Sequence, residues 1–243
     1  MTLEMSTMLL LVVGTLAAST IAAVTGFGGA AVLLPFLVAV FGVRDAIPAL
    51  TIAQLVGNGS RGWFNRAEVN YQVVGWFALG SLPAGLLGGV LFASAPLPIL
   101  TRLLGGFLLL VVVFRHVQKL KMPQMRLRWF APLGILTSFL SAVVGTAGPI
   151  VAPFFLAFGL VKGAYIGTEA LSAVVMHASK LVAYSSADVL SMRGLAIGLL
   201  LGPILILGSF VGKKIVNRVP DQVFVMLIEI VLLVSGALLL VHG

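Results

Sequence analysis

Charged residues are scarce in this sequence. Asp, Glu, Lys and Arg make up 9% of its 243 residues, whereas hydrophobic residues make up 60%. A water-soluble domain carries about 25% charged residues. So few charges cannot cover a water-exposed surface, and the mean hydropathy of +1.17 agrees with this. The composition excludes an ordinary soluble domain and predicts an all-α polytopic protein that spans the lipid bilayer.

Cysteine is absent. Its absence excludes disulfides, thiol chemistry and the commonest zinc sites. The sequence also lacks the G-x-x-x-x-G-K-[ST] motif, so ATP is not expected as a direct energy source. We therefore expect no metal and no cofactor.

The charges that are present are mainly basic, and the net charge is +8. Most basic residues lie between apolar runs, where they orient membrane helices, so we expect no nucleic-acid partner. The first residues, "MTLEMSTMLLLVVG", contain no basic residue before the apolar run. We therefore expect the first membrane segment here, rather than a cleaved signal peptide.

Ten apolar segments separated by short polar breaks account for nearly the whole chain. Crossing a bilayer takes about 20 helical residues. Most segments meet this length, but the second and the seventh fall short of it and follow glycine-rich breaks. Each is predicted to form a glycine-broken helical hairpin with the segment before it, which either re-enters or crosses fully. The segments are 5–24, 28–42, 46–63, 70–94, 97–117, 129–145, 149–160, 164–185, 192–213 and 220–241.

The two halves of the chain resemble each other on either side of a basic stretch, "RHVQKLKMPQMRLR". "TGFGGAAVLLPF" in the first half matches "VGTAGPIVAPFF" in the second, and Ala67–Val69 matches Ala187–Val189. This pattern predicts a first membrane repeat at 1–114, a cytoplasmic linker at 115–128 and a second repeat at 129–243.

Parity sets the relative orientation of the repeats. A hairpin returns the chain to its starting side, and three further transmembrane helices then carry it across, so the second repeat is predicted to be inverted. The basic loops agree, because placing 115–128 in the cytoplasm puts Arg61, Arg66, Lys213 and Lys214 there too. Four spans per half, with parallel repeats, is the alternative.

The sequence resembles the TauE/SafE family of sulfite and organosulfonate exporters. The resemblance rests on "TGFGGAAVLLPFLVAVFGV", "RGWFNRAEVNYQVVGWFALGSLPAGLLGG" and "VGTAGPIVAPFFLAFGLVKGAYIGTEAL", and it extends over nearly the whole chain. It implies a multi-pass transporter of small, often sulfur-containing anions in the bacterial inner (plasma) membrane, with no enzymatic activity. It does not identify the anion.

The eighth segment, "AYIGTEALSAVVMHASKLVAYSS", contains three ionisable residues within an apolar run. Such residues are costly in a bilayer and face an interior or a watery cavity. By helical periodicity Glu169, Ser172, Met176 and Lys180 share one face, with His177 beside it. We predict that Lys180, Ser172 and Met176 contact the anion and that Glu169 and His177 carry protons. The alternative is that Lys180 and His177 reach water at the helix end.

The corresponding segment of the first half is polar but uncharged on one face, where Thr51, Gln54 and Asn58 are predicted to bind the anion. Packing between helices is the alternative. Arg61, one turn further, is expected at the cytoplasmic mouth, where it orients the helix; the alternative is that it steers anions. Glu229 in the last segment could belong to a proton path, be structural, or face Arg102.

The glycine breaks complete the predicted site. A helix that starts inside the membrane presents free backbone N–H groups, and these attract an anion. Two inverted breaks would meet near the midplane. The alternative is a tight turn that binds nothing. The residues predicted to bind the anion at the breaks are Thr25, Gly26, Phe27, Gly28 and Gly29 in the first half and Gly145, Thr146, Ala147 and Gly148 in the second.

These features favour a secondary transporter that exports a small anion by alternating access, driven by protons. A passive anion or solute channel is the alternative. An intramembrane enzyme is disfavoured, because only three histidines are present, and His116 and His242 lie at or beyond the ends of their apolar segments.

Overall fold

A computed structural model of the chain describes residues 5–26, 29–96 and 124–220, together with the single positions 99, 222, 223 and 226. The described residues form helices and connecting turns. Most of the predicted fifth and tenth segments and most of the basic linker lie outside them. The helices are α1 (Met5–Thr25), α2 (Gly29–Phe64), α3 (Tyr71–Ser94), α4 (Phe130–Val144), α5 (Gly148–Ala157), α6 (Lys162–Ser186) and α7 (Met192–Val216), with short 3-10 turns at Arg66–Glu68 and Leu127–Trp129.

The all-α polytopic fold is confirmed. By length and composition, four described helices could cross a membrane: Phe36–Phe64, Tyr71–Ser94, Leu127–Val144 and Met192–Val216. A shorter apolar helix covers Leu9–Thr25. α6 is also long, but its polar side chains lower its hydropathy. α5 has 10 residues, which extend only about 15 Å, in agreement with the short seventh segment.

Four glycines with positive φ end or interrupt helices at matching places in the two halves. Gly26 (φ 80°) ends α1 and Gly145 (φ 87°) ends α4. Gly42 (φ 75°) divides α2 into two parts, and Gly159 (φ 96°) lies between α5 and α6. A side chain with a Cβ is disfavoured in this left-handed conformation, which glycine adopts readily. The short helices are therefore limited by glycine at both ends.

The N-termini of α3 and α7 are capped in the same way. The Asn70 side chain accepts a hydrogen bond from the backbone N–H of Val73 at the start of α3. The Ser191 side chain accepts one from Gly194 at the start of α7. These caps satisfy N–H groups that no preceding carbonyl can reach.

Close contacts at glycines reveal which helices run in the same direction. Gly208 and Gly212 of α7 approach Ser19 and Ala23 of α1 in the same order along the chain. Because residue numbers increase together on both helices, α1 and α7 are parallel. Successive contacts of α7 with the second part of α2 likewise increase together, from Gly194 against Ala49 to Gly202 against Val56.

A second parallel group comprises α3, α4 and α6. Gly80 and Gly88 of α3 face Ala131 and Ala142 of α4, while Gly85 and Gly89 face Ser179 and Ala183 of α6. The evenly spaced small residues of α3 and α7 therefore allow neighbouring helices to approach closely.

The two groups run in opposite directions. Gly62 near the end of α2 contacts Leu171, whereas Asn65, further along, contacts Gly167. Since one number falls as the other rises, α2 and α6 are antiparallel. The last long helix described in each half packs against helices of the other half. α3 packs on α4 and α6, and α7 packs on α1 and α2.

Candidate functional site

A narrow cavity lies where the two helix groups meet. It contains about 360 Å³ of space not occupied by atoms, including any part open to solvent. The part of this space that the centre of a water molecule can occupy is only about 30 Å³, and one water needs at least about 10–15 Å³ on that measure, so the cavity is a narrow one with room for about two waters. Its walls come from both halves and are formed by Gly26, Gly29, Ala30, Gln54, Asn58, Arg61, Ser141, Gly145, Thr146, Ala147, Gly148, Glu169, Ala173, Met176 and His177.

Both glycine breaks contribute to this wall, and α2 and α5 begin beside it. The N-terminus of a helix carries about half a positive elementary charge. Gly29 and Gly148, the first residues of these helices, both line the cavity. The backbone therefore supplies positive potential from two directions without basic side chains.

Both breaks line the same cavity, but they pack on different parts of the α2–α6 pair. Gly26 packs on the ring of Tyr165, near the start of α6, whereas Gly145 packs on Ile47, early in the second part of α2. Because α2 and α6 are antiparallel, these contacts lie toward opposite ends of the helix pair. The hairpins extend past each other, and the cavity connects the two breaks.

Four residues of the cavity wall carry buried polar atoms that have no hydrogen-bond partner among the described residues. They are Gln54 Nε2, Arg61 Nε, His177 Nδ1 and Glu169 Oε2. A buried polar group left without a partner costs about 1–3 kcal/mol. Their residues all line the cavity, so a hydrogen-bonding ligand held there would satisfy them.

Arg61 lies inside the protein, which corrects its expected place at a cytoplasmic mouth. Only 5% of its surface is exposed, its Nη2 lies 4.0 Å from Glu169 Oε2, and it also donates to Asn58 Oδ1. Orientation statistics could not show this, because they depend on the position of a basic residue in the chain and not on where its side chain packs. The guanidinium is a planar donor that suits oxyanions.

Lys180 is fully buried, so the idea that it reaches water at the helix end is wrong. Its Nζ donates to Ser141 Oγ at 2.9 Å and to the Ser141 carbonyl oxygen at 3.3 Å. Lys180 itself is not on the cavity wall, but Ser141 is. Ser141 has no special signal in the sequence, since it is one serine within an apolar helix.

The other predicted binding residues divide between the cavity wall and the helix interior. Thr51 and Ser172 are buried away from the wall and donate to the carbonyls of Ile47 and Thr168 on their own helices. Thr25 is also off the wall, and its hydroxyl donates to the Ile21 carbonyl. Phe27, Gly28, Arg102 and Glu229 lie outside the described residues. The predicted residues on the wall are Gly26, Gly29, Gln54, Asn58, Gly145, Thr146, Ala147, Gly148, Met176, Glu169 and His177.

The wall residues of α2 and α6 occur in the same register of the two repeats. Asn58 and His177 each lie 32 residues after the left-handed glycine of their half, Gly26 or Gly145. Arg61 and Lys180 each lie 35 residues after it. The basic residues of the two broken helices are thus counterparts.

The arrangement is suited to binding an anion rather than a metal. It combines helix N-termini, a guanidinium, an amide N–H₂ donor and a serine hydroxyl with one carboxylate, counted over the wall residues that the structure describes. Within the described part of the chain, no group of three His, Cys, Asp or Glu residues could hold a metal ion.

Comparison with known proteins agrees with this chemistry. The family model described as "Sulfite exporter TauE/SafE" matches residues 10–239. Neither the curated proteins nor the solved structures gave a match.

Proposed function

Because the chain belongs to the TauE/SafE sulfite exporter family, we propose that it is a secondary transporter that binds sulfite or an organosulfonate in the cavity between its repeats. The family places it among multi-pass membrane transporters of such anions. Movement by alternating access, coupling to protons and export from the cytoplasm across a bacterial inner membrane are the further parts of this proposal.

The observation that carries the proposal is the set of buried donors without partners. Arg61 Nε and Gln54 Nε2 of α2 are donors that lack hydrogen bonds within the described residues, and His177 Nδ1 of α6, a donor in one of its two neutral tautomers, also lacks one. Sulfite and sulfonate groups carry several acceptor oxygens, which can receive hydrogen bonds from different directions at once. The two helix N-termini add positive potential where a bound anion would lie.

Helix directions support inverted repeats. Exchanging the halves pairs α1 with α4, the second part of α2 with α6, and α3 with α7. The helices α1, α2 and α7 run in one direction, and their counterparts α4, α6 and α3 run in the opposite direction, as a two-fold axis in the membrane plane requires. We therefore keep the division at 1–114, 115–128 and 129–243, with the cavity between the first and last parts.

The distribution of basic residues supports the proposed orientation. Contacts of Gly163 and Lys213 with Glu68 bring the end of α2, the start of α6 and the end of α7 to the same end of the helix bundle. Several basic residues belong to this end, whereas the described part of the opposite end has Arg44 and Arg193. The positive-inside rule makes the basic end cytoplasmic. Its basic residues are Arg66, Lys162, Lys213, Lys214 and Arg218.

The Arg61–Glu169 pair provides a means of exchange. In the structure the Glu169 carboxylate is the anion nearest Arg61, at 4.0 Å. A substrate anion that binds Arg61 competes with this carboxylate, and protonation of Glu169 weakens the competitor. Glu169 and His177 are therefore retained as proton-carrying candidates on the cavity wall.

The test is anion flux in reconstituted liposomes with an imposed pH difference. We expect sulfite or methanesulfonate movement to accelerate when the proton gradient favours it and to be lost in Gln54→Leu. Gln72→Leu is the matched control, because Gln72 is exposed on α3 away from the cavity. Protein-dependent flux that ignores the pH difference would favour the channel, and no flux of either anion would contradict the proposed substrate class.

A further inference from the structure

Lys180 is a buried ammonium with no carboxylate within ion-pair distance among the described residues. It is 0% exposed, and its two hydrogen bonds both go to oxygens of Ser141. Its counterpart Arg61 has Glu169 at 4.0 Å. The position equivalent to Glu169 in the first repeat is occupied by Leu50, a fully buried apolar residue. The two repeats thus present equivalent cations, of which one has an internal anion and the other does not.

An isolated charge in the membrane interior is costly unless another charge or polar group compensates it. The carbonyl end of α4, to which Ser141 belongs, supplies about half an elementary negative charge. The remaining positive charge of Lys180 can be neutralised in two ways, one for the empty cavity and one for the filled cavity. Lys180 releases its proton, or an anion binds nearby and balances it.

Ser141 connects Lys180 to the cavity. The Lys180 ammonium donates to Ser141 Oγ, so an Oγ lone pair is occupied and the hydroxyl hydrogen is directed elsewhere. Ser141 lines the cavity, where this O–H is available to an anion. Lys180 is therefore a positioning residue that acts through Ser141, and its charge lies one hydrogen bond behind the wall.

We infer that Lys180 takes up a proton together with the anion, so that one substrate charge balances the cation that lacks an internal partner. This inference rests on the proposed anion site and identifies which group couples it to protons. Anion binding raises the number of protons bound by the protein, and by linkage its affinity falls as the pH rises. On release of the anion, the same proton leaves Lys180.

Other ionisable groups near the cavity define the comparison. His177 lies one turn earlier on α6, Tyr184 lies one turn later and donates to the Ala142 carbonyl, and Arg61 and Glu169 line the wall. Glu229 lies outside the described residues and is included as a variant of its own. If the coupled proton resided on any of these groups, removing Lys180 would leave proton uptake intact.

The experiment is calorimetric titration of the full-length protein with sulfite and with methanesulfonate, in two buffers that differ in ionisation heat. The difference between buffers gives the protons taken up per anion bound. Lys180→Arg is the decisive variant because arginine keeps its charge at every working pH. Lys180→Met removes the charge, and Lys213→Met is the matched lysine control.

We expect Lys180→Arg to bind the anion with about one proton fewer than the wild type, and Lys180→Met to bind at least about tenfold more weakly with the same loss. Lys213→Met should match the wild type. The difference in proton uptake between the wild type and a variant also excludes the protons exchanged by sulfite itself, because that contribution is the same in every titration. If one Lys180 variant does not fold, the other still decides the proton count.

Wild-type binding without proton uptake, or uptake that persists in Lys180→Arg and Lys180→Met, would overturn the inference while leaving the anion site standing. Uptake lost in Glu169→Gln, His177→Asn or Glu229→Gln but kept in the Lys180 variants would assign the proton elsewhere and also overturn it. Failure of the wild type to bind either anion would contradict the proposed function itself.

Discussion

The two broken helices, α2 and α6, have nearly the same backbone but different side chains. Each follows a left-handed glycine, each is preceded by a short helical part, and each carries a buried basic residue 35 residues after the glycine that ends the helix before that part, Gly26 or Gly145. On the second part of α2 the cavity is lined by Gln54, Asn58 and Arg61, whereas on α6 it is lined by Glu169, Ala173, Met176 and His177. Glu169, the one carboxylate among the described wall residues, belongs to α6 and pairs with Arg61 of α2.

This difference suggests that duplication supplied the geometry and later substitution supplied the chemistry. Identical halves would place two equal anion positions on either side of the two-fold axis. At these equivalent positions one half has Glu169 and the other has Leu50. Arg61 therefore has an internal carboxylate to balance its charge, whereas Lys180 has none among the described residues. A transporter that must release its ligand benefits from such inequality, because neither cation then holds the anion permanently.

The largest effect is expected from breaking the internally balanced side. Arg61→Met leaves the Glu169 carboxylate buried without its cation, which costs about 3–5 kcal/mol when one partner of a buried pair is removed. We expect a marked fall in apparent melting temperature in detergent and loss of anion flux. The double variant Arg61→Met/Glu169→Gln should recover most of the stability but not the flux. Recovery of transport in the double variant would show that Arg61 serves only to neutralise Glu169.

The two break glycines should differ in their tolerance of a side chain. Both glycines have a positive φ, and a residue with a Cβ pays about 1–2 kcal/mol to adopt that conformation. At Gly26 it would also overlap the Tyr165 ring, whereas at Gly145 the nearest atoms are side-chain carbons of Ile47 and Leu34 at 3.3 Å. Gly26→Ala should therefore lower the melting temperature and the flux more than Gly145→Ala. Equal losses would mean that strain alone limits both breaks.

A third comparison concerns equivalent serines in the first helix of each repeat. Ser138 Oγ donates to Ser81 Oγ at 2.6 Å between α4 and α3, whereas Ser19 Oγ reaches the Ile204 carbonyl of α7 only at 3.5 Å. A typical hydrogen bond contributes about 0.5–1.5 kcal/mol. Ser138→Ala should lower thermal stability in detergent by an amount in that range, and Ser19→Ala by less. The reverse order would contradict the inequality of these interfaces.

The smallest effect is expected at the basic end of the bundle. Lys213 Nζ lies 3.0 Å from Glu68 Oε1, but the glutamate side chain is 49% exposed. Partly exposed ion pairs contribute at most about 1 kcal/mol. Glu68→Gln should shift the melting temperature only slightly, and less at high salt than at low salt. A fall in melting temperature as large as that expected for Arg61→Met would contradict the weak contribution assigned to this ion pair.

Much of the fold follows from the sequence because membrane helices obey simple length and composition rules. Segment boundaries in the described part fall within a few residues of the observed helices, and the short α5 was expected from the length of its apolar run. Left-handed glycines at Gly26 and Gly145 also lie within the breaks that the sequence indicated. Each of these features depends on local sequence alone.

The site was less predictable because it depends on which side chains face each other across the repeats. Arg61 was assigned to the surface, since nothing local distinguishes a buried arginine from one that orients a helix. Ser141 was missed for a similar reason, as its importance comes from Lys180, 39 residues away. The register shared by Arg61 and Lys180 was present in the sequence, and counting from the two break glycines would have paired them.

The central claim is that a sulfur oxyanion binds between the two glycine breaks. The most direct test is the anomalous difference density of bromoethanesulfonate in a crystal of the wild-type protein. The account predicts a bromine peak in the cavity, with the sulfonate within hydrogen-bonding distance of Arg61 and of the backbone at Gly29 or Gly148. A cavity without ligand density, with bromine only at the exposed basic residues near Lys213 and Arg218, would contradict it.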